Sequence, residues 1–200
     1  GFESHPFRHK VKKIDFMITK ENSVILVAIN DELPKDILPE WNIQYTGVGK
    51  VNAAYQTTKV IYRYKPNYII NYGSAGSLTP NISGLQKVCT FLQRDMLAEP
   101  LGFKMGDTPF DKINMIKTCS EGISCSTGDN FVDKNPKIYS ELVDMEAYAI
   151  AKVCVKEGVK FYCYKFVSDQ ANEDASGDWK VNLSVGADMF RAKLFNDLVK

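Results

Sequence analysis

Polar residues that can carry out acid–base chemistry follow the apolar or glycine-rich segments of this chain. They form four clusters, at residues 30–32, 73–76, 127–131 and 168–169. In open α/β sheets, ligands bind beyond the carboxyl ends of the strands, so we expect these clusters to converge on one pocket. The pocket would contain carboxylates, a serine, small backbone turns and an aromatic ring. This set predicts a general acid–base site that needs no histidine.

Histidine and cysteine usage restricts the chemistry further. The two histidines, His5 and His9, both lie in the first ten residues, so an enzyme of this sequence is expected to use carboxylates as acid and base. No zinc site is expected, because these histidines have no cysteine nearby. The cysteine count is odd and no pair has CxxC spacing, which predicts reduced, mostly buried thiols in a cytoplasmic protein. The cysteines are Cys89, Cys119, Cys125, Cys154 and Cys163.

Charge and length exclude several classes of protein. The chain has 25 basic and 24 acidic residues, a net charge of +1. Nucleic-acid binding led by phosphate contacts and polybasic membrane binding both need a basic surplus, so we expect neither partner. No apolar run is long enough for a transmembrane helix. The 200 residues predict one domain at 23–200, preceded by a loose segment at 1–22 without a signal-peptide pattern.

Strand-like and helix-like segments alternate along the chain, which predicts an α/β fold. A buried strand at 23–29 is followed by a helix at 51–62 that should end before Pro66. The next strand, 68–72, is expected to run into a glycine-rich turn at 73–76. Further strands are predicted at 88–92, 123–126 and 159–167, helices at 142–157 and 183–198, and a long loop at 94–114.

Five segments in order resemble the purine nucleoside phosphorylase/nucleosidase superfamily, and within it the methylthioadenosine/S-adenosylhomocysteine nucleosidases. They read TGVGKVNAA, NYGSAGSL, STGDNFV, VDMEAYAIAKVC and FVSDQANEDASGDW. The resemblance implies a single domain with a mixed, twisted central β-sheet flanked by helices. It also implies hydrolysis of the N-glycosidic bond of a purine nucleoside with release of adenine, without a metal or organic cofactor. A homodimer is implied, because the family completes its pocket across the subunit interface.

The resemblance assigns the chemical step to carboxylates. Glu32 matches the family's water-activating glutamate, and Asp169 matches the aspartate that delivers a proton to N7 of the leaving purine. Ser168 would orient that aspartate, and Ser74 matches a polar contact near the ribose and the nucleophile. These roles fit a reaction that develops oxocarbenium-like positive charge on the sugar.

The resemblance assigns substrate binding to a second group of residues. Glu146 matches the glutamate that binds the ribose hydroxyls, with Met145 packed against the sugar. Phe131 matches the ring that stacks on the base, and the backbone of Val132 matches the contact to the adenine edge. Trp179 falls where the family keeps an aromatic residue over the 5′ substituent. Val48 is also predicted to contact substrate.

The chain departs from the family pattern at two places. Lys165 stands where the nucleosidases usually have an arginine, which keeps the charge and loses the bidentate fork. The loop at 94–111 lacks the family's histidine-containing stretch, so Leu97, Leu101 and Pro109 are candidates to line the 5′ pocket instead.

Two alternatives to hydrolysis remain open on the sequence. One is a phosphate-dependent purine nucleoside phosphorylase, although AINDELP lacks the phosphate-binding motif of the hexameric phosphorylases. The other is a catalytically silent nucleoside-binding protein. An aspartate at position 169 suits adenine without excluding 6-oxopurines, and the 5′ group stays undetermined.

Overall fold

The computed structural model describes residues 17–132, 136–169 and 175–198. Within these ranges eight strands form one mixed sheet. The strands are β1 (Ser23–Val27), β2 (Ile43–Tyr45), β3 (Tyr68–Ser77), β4 (Gly84–Gln93), β5 (Ile116–Lys117), β6 (Ile123–Thr127), β7 (Leu142–Asp144) and β8 (Lys160–Asp169). The helices are α1 (Lys50–Tyr64), α2 (Ala147–Glu157) and α3 (Ala175–Lys193), which continues as a π-helix over Leu194–Leu198. Short 3-10 turns lie at Lys35–Ile37 and Glu99–Leu101.

The strand pairing closes part of the sheet on itself. The sheet order is β2-β1-β3-β7-β6-β4-β5, and β8 pairs with both β3 and β4. β8 is parallel to β3 and antiparallel to β4, while β7 is antiparallel to β3 and parallel to β6. Five strands therefore form a ring, which brings the ends of β3, β7 and β8 close to one another. The predicted mixed, twisted sheet flanked by helices is confirmed.

Both faces of the sheet are covered, which explains the continuous apolar runs of β1 and β3. Alternate residues of β1 enter different core clusters, Val24 and Leu26 one and Ile25 and Val27 the other. The first cluster contains the buried faces of α1 and α2, and the second contains residues of α3. None of the helices in the described ranges has the length and apolar character needed to cross a membrane.

Several predicted boundaries are wrong, among them the start of the last helix, predicted at 183 and found at Ala175, and the start of the strand predicted at 88, found at Gly84. Residues 73–76 are not a turn, because they continue β3 and pair with β8 as far as Gly76. The helix predicted at 142–157 begins at Ala147, because residues 142–144 form β7 between β3 and β6. A strand of three residues is too short to give a periodicity of its own, so its apolar residues merged with the helical pattern.

The prediction of five reduced cysteines is wrong for one pair. Cys89 and Cys119 are joined by a disulfide, with their Cα atoms 5.1 Å apart. The two-residue strand β5 brings them together, because it pairs antiparallel with β4 and places the Thr118 N–H on the Cys89 carbonyl at 2.9 Å. Cys125, Cys154 and Cys163 are free and buried, as predicted. Most of the predicted loose segment, residues 1–16, lies outside the described residues, as do His5 and His9.

Candidate active site

A cavity of about 250 Å³ lies where the segments that follow β1 and β6 meet the carboxyl ends of β3 and β8. Three carboxylates line it, together with a buried arginine, two serines and an exposed phenylalanine. The lining residues are Ala28, Ile29, Glu32, Val48, Ser74, Ala75, Gly76, Arg94, Asn130, Phe131, Val132, Val143, Asp144, Met145, Glu146 and Ser168. We call the part formed by Glu32, Ser74, Asp144 and Glu146 the carboxylate end, and the part formed by Asn130, Phe131, Val132 and Arg94 the aromatic end.

Glu32 is held by one of its two carboxylate oxygens. The side chain is buried, 5% exposed, in the segment that follows β1. Its Oε1 accepts hydrogen bonds from the Ser74 N–H at 2.8 Å and from the Ser74 hydroxyl at 2.5 Å. Its Oε2 is buried and accepts no hydrogen bond from the described residues. The carboxylate is thus fixed in position while one oxygen remains available to a water or a substrate hydroxyl.

Gly73 leaves room for two opposite charges beside each other. A Cβ atom at this position would lie 3.2 Å from Lys165 Nζ and 3.4 Å from both carboxylate oxygens of Glu32. These contacts are tighter than or at the edge of normal packing, so a side chain here would displace the ammonium group, the carboxylate or both. The glycine before Ser74 therefore belongs to the construction of the site.

A buried ion pair between Lys165 and Asp144 lies at the carboxylate end. Lys165 Nζ lies 2.9 Å from Asp144 Oδ2, and both side chains are almost fully buried. Burial alone would lower the pKa of Lys165, but the charge of Asp144 and neighbouring groups holds it well above its usual value. Burial would likewise raise the pKa of Asp144, which the Lys165 charge and hydrogen bonds lower instead. Both groups are therefore charged at neutral pH.

Asp144 also fixes the start of α2. Its carboxylate accepts hydrogen bonds from the N–H of Ala147 at 2.8 Å and from the hydroxyl of Thr127. A carboxylate in this position satisfies a free N–H at the helix N-terminus and is favoured by the helix dipole. The N–H of Glu146, two residues after Asp144, donates to the same carboxylate at 3.3 Å.

Glu146 is a buried carboxylate whose proton is lost near neutral pH. It is 7% exposed, and its Oε1 accepts the Gly49 N–H at 3.0 Å. Burial, followed by the nearby charge of Asp144, raises its pKa to about 7. Gly49 has a φ of +92°, in the region that favours glycine, which accounts for the second glycine of TGVGK. When ionised, Glu146 can accept hydrogen bonds from two hydroxyl groups.

The aromatic end presents an exposed ring beside a buried backbone. Phe131 is 55% exposed although it lines the cavity, and Val132 beside it is buried. An exposed ring at a cavity wall offers a flat apolar surface on which a heteroaromatic base can stack.

An ionic network closes the rim next to the aromatic end. Lys50 at the start of α1 forms an ion pair with Asp95, and its Nζ lies 3.5 Å from Asp129 Oδ2. The Lys50 N–H donates to Asp129 at 2.7 Å, and the Asp129 N–H donates to Asp95 at 2.8 Å. The network joins α1, the segment after β4 and the segment after β6.

Known proteins with similar sequence and structure place the chain in a family. A model described as the phosphorylase superfamily matches residues 40–112. A 5′-methylthioadenosine/S-adenosylhomocysteine nucleosidase from Staphylococcus aureus (strain MRSA252) is 32% identical, over 72% of this chain and 75% of the relative. The chain belongs to this nucleosidase family. The predicted family and the predicted class of enzyme, an N-glycosyl hydrolase, are confirmed.

Solved structures share the fold of this nucleosidase at lower sequence identity. A futalosine hydrolase mutant of Helicobacter pylori strain 26695 superposes with a TM-score of 0.79 at 21% identity, covering 86% of this chain and 96% of that one. A 5′-methylthioadenosine/S-adenosylhomocysteine nucleosidase from Helicobacter pylori, solved with butyl-thio-DADMe-Immucillin-A, has a TM-score of 0.77 at 22% identity, covering 86% and 95%. The architecture is therefore common to hydrolases named for different nucleosides.

The structure brings most of the predicted site residues of this nucleosidase to one cavity. Those that line it are Glu32, Val48, Ser74, Phe131, Val132, Met145, Glu146 and Ser168. The Ser168 hydroxyl donates to the Ala75 carbonyl at 3.4 Å. The backbone of Asp169 ends β8 and pairs with Gly76, but its side chain lies outside the described part of the structure, as does that of Trp179 in α3.

Two charged cavity residues escaped prediction. Arg94 and Asp144 line the cavity, although neither was singled out from the sequence, whereas Asn130 lies in the cluster predicted at 127–131. Asp144 stands two residues before Glu146 in a segment predicted as helix, and Arg94 begins a segment predicted as loop. Of the three candidates in that loop, Leu97 and Leu101 are exposed, and none of the three, Pro109 included, lines the cavity within the chain.

Proposed function

We propose that the chain hydrolyses 5′-methylthioadenosine and S-adenosylhomocysteine at the C1′–N9 bond, releasing adenine. The observation that carries the proposal is the pair of buried glutamates in one cavity. Glu32 is anchored by Ser74 with one oxygen left unpartnered among the described residues, and Glu146 is poised to ionise. One carboxylate is suited to activate water and the other to hold a diol.

The reaction begins with binding. Ionised Glu146 accepts hydrogen bonds from the 2′- and 3′-hydroxyls of the ribose, with Met145 packed on the sugar. The ring of Phe131 stacks on the purine, and the main chain of Val132 meets its edge. Stacking alone reads no base identity, so the edge contact selects adenine.

Cleavage then needs one proton taken and one given. As the C1′–N9 bond breaks, positive charge develops on the ribose, and the Glu32 carboxylate stabilises it. Glu32 removes a proton from water as the water oxygen bonds to C1′. Asp169, the residue after cavity-lining Ser168, delivers a proton to N7 so that adenine leaves neutral. Glu32 then releases its proton to solvent and Asp169 takes one up from solvent, so one water is consumed and both carboxyl groups return to their starting states.

The 5′ substituent is assigned from the relatives and from the apolar lining. The Staphylococcus aureus relative is named for methylthioadenosine and S-adenosylhomocysteine. Val48 and Met145 give the wall beside Glu146 an apolar character that suits a thioether. Trp179 in α3 is proposed to cover the 5′ group.

A substrate panel tests this proposal. Methylthioadenosine, S-adenosylhomocysteine, adenosine, inosine and futalosine are incubated with the protein, each with and without phosphate, and free base is followed by chromatography. We expect adenine from the two thio-nucleosides at equal rates with and without phosphate. Strict dependence on phosphate would identify a phosphorylase instead. Binding of methylthioadenosine in calorimetry without release of base from any nucleoside would identify a silent nucleoside-binding protein.

We also propose a homodimer that acts in the cytoplasm. Exposed apolar side chains on α1, Val51, Tyr55 and Tyr62, lie on the helix that follows cavity-lining Val48 and support a contact with a second copy. Sedimentation analysis should give twice the chain mass, and Tyr55→Glu should shift the protein to monomer. A monomeric wild type would contradict the dimer. The cytoplasmic location rests on the odd number of cysteines and the lack of CxxC spacing, and the Cys89–Cys119 disulfide counts against it because disulfides are rare in the reducing cytoplasm. Cell fractionation tests the location.

A further inference from the structure

Arg94 is a buried cation that binds main-chain oxygens of the aromatic end. It follows β4, is 6% exposed and lines the cavity. Its Nη1 donates to the carbonyls of Ser126 and Asp144, both at 2.6 Å. Its Nη2 donates to the carbonyls of Asn130 at 2.6 Å and Gly128 at 3.2 Å. One side chain thus holds four carbonyl oxygens.

Three of these carbonyls belong to the segment that leads to the stacking ring, and the fourth, that of Asp144, ends β7. Ser126 lies in β6, Gly128 and Asn130 lie in the turn after it, and Phe131 comes next. The main-chain N–H of Arg94 also donates to the Thr127 carbonyl at 2.9 Å. The turn is also held at Asp129, whose N–H donates to Asp95 and whose carboxylate accepts the Lys50 N–H, and the Gly128 N–H donates to the Asp144 carbonyl. Arg94 adds the contacts to the carbonyl oxygens of the turn, which the ionic network of Lys50, Asp95 and Asp129 does not make.

The shape of the arginine side chain suits this task. A planar guanidinium carries donors on both terminal nitrogens in a fixed arrangement, whereas a lysine ammonium is a compact group with three donors. The Arg94 Nε–H is buried without a hydrogen-bond partner among the described residues, so the terminal nitrogens carry the contacts. Gly128 packs against the guanidinium, since a Cβ on it would lie 3.0 Å from Arg94 Cγ and Cζ.

We propose that Arg94 is a positioning residue for purine binding: its guanidinium holds the carbonyls of the turn after β6 and thereby places Phe131 and the main chain of Val132 against the base. The inference rests on the proposed binding of a purine at the aromatic end. Arg94 acts through the backbone it holds and is not assigned a contact with the reacting atoms.

The first test removes the guanidinium and then returns it. Arg94→Ala should raise the dissociation constant for adenine and the KM by a factor of about 10 to 100, as loss of buried hydrogen bonds to a charged group would. The kcat should change much less. Guanidinium chloride at tens of millimolar should restore binding, whereas sodium chloride at the same ionic strength should not. Arg94→Lys should remain impaired, and Arg191→Ala, an exposed arginine on α3, should behave as wild type.

The outcomes separate positioning from general stabilisation. Wild-type binding in Arg94→Lys, or a folded Arg94→Ala variant that guanidinium does not rescue, would overturn the proposal. Hydrogen exchange of the amides at 126–132 provides a readout that needs no substrate. These amides should exchange faster in Arg94→Ala and return to wild-type protection with guanidinium.

A second variant keeps the proposal testable if Arg94→Ala does not fold. The backbone of Gly128 is outside the left-handed region, so Gly128→Ala costs little except contact with Arg94. We expect Gly128→Ala to weaken adenine binding in the wild type and to have no further effect when Arg94 is already alanine. Additive effects of the two changes would refute the coupling. A wild-type protein that neither cleaves nor binds any purine nucleoside would instead refute the proposed function. The hydrogen-exchange result would still show whether Arg94 holds the turn after β6.

Discussion

At the carboxylate end of the cavity, charged side chains are bound by other polar side chains, whereas at the aromatic end the Arg94 side chain binds main-chain carbonyl groups. Glu32 accepts the hydroxyl of Ser74 and Asp144 pairs with Lys165, so these two charges are held by another polar side chain in addition to main-chain N–H groups. At the aromatic end, Arg94 binds carbonyls, and the exposed Phe131 ring depends on the turn beneath it. A charged group that is buried away from water needs hydrogen-bond or ion-pair partners. A stacking ring needs no such partners, only a main chain that places it correctly.

The difference separates two kinds of effect of mutation. Changes at the carboxylate end should act on the chemical step or on the cost of burying charge. Changes at the exposed ring of the aromatic end, Phe131, should act on binding and leave both the chemistry and the fold intact. The variants below test this division.

Glu32→Gln should have the largest effect. The amide keeps the shape of the side chain but cannot take a proton from water, so kcat should fall by a factor of about 10² to 10⁴, the range for loss of a general base. The KM should change little. Steady-state kinetics on methylthioadenosine measure both. Asp31→Asn, the exposed carboxylate one residue before, is the matched control and should retain wild-type kcat. An unchanged kcat in Glu32→Gln would remove Glu32 from the role of base.

The sequence revealed the carboxylate end better than the aromatic end, because buried charges need specific partners and a stacking ring does not. A buried glutamate on an apolar helix pattern, such as Glu146, is conspicuous because burying an unpartnered charge is costly. Phe131 stands in the cluster predicted at 127–131, and its role as the stacking ring was predicted only through the family resemblance. Arg94, which holds the turn before Phe131, binds main-chain carbonyl groups. Every residue has such a group, so no residue type in the sequence identifies the partners of Arg94. Strands β2, β5 and β7 were also missed, because two or three residues are too few to show a periodicity. Since β5 brings Cys119 to Cys89, missing this strand also meant missing their disulfide.

Lys165→Met tests whether the charges of the carboxylate end depend on each other. The change leaves Asp144 buried without its cation, so the free energy of unfolding at neutral pH should fall by about 3 to 5 kcal/mol. Urea denaturation measures it. Adding Asp144→Asn should recover part of the loss, because no charge is then left unpaired. Lys20→Met, which breaks the exposed pair with Glu40, should lower the free energy of unfolding far less, because solvent screens an exposed ion pair. Equal losses of unfolding free energy in the two lysine variants would show that the buried ion pair contributes no more to stability than the exposed one.

Glu146→Gln should change how stability depends on pH. The folded pKa of about 7 lies above the usual 4.5, so the native state binds more protons than the unfolded state between these values. Wild-type stability should therefore fall as the pH rises through 7, and a glutamine, which cannot ionise, should escape that loss. Between about pH 5 and pH 8, the unfolding free energy of the variant should gain about 2 to 3 kcal/mol on the wild type. Glu157→Gln, exposed at the end of α2, should track the wild type at every pH. A constant difference between Glu146→Gln and wild type would mean that Glu146 is already ionised at the acidic end of the range.

Phe131→Leu should have the smallest effect and is the cleanest measure of the aromatic end. Loss of stacking on the base is worth about 0.5 to 1.5 kcal/mol, so KM and the dissociation constant for adenine should rise by a factor of about 2 to 12. The kcat should stay the same, because Glu32 and its partner Ser74 are untouched. The midpoint of thermal unfolding should also stay the same, since the ring is 55% exposed and contributes little to the core. Tyr139→Leu is the matched control, an aromatic ring 74% exposed that does not line the cavity, and its kinetics should equal those of the wild type. A fall in kcat as large as that of Glu32→Gln would mean that the ring takes part in the chemical step, and the division between the two ends would fail.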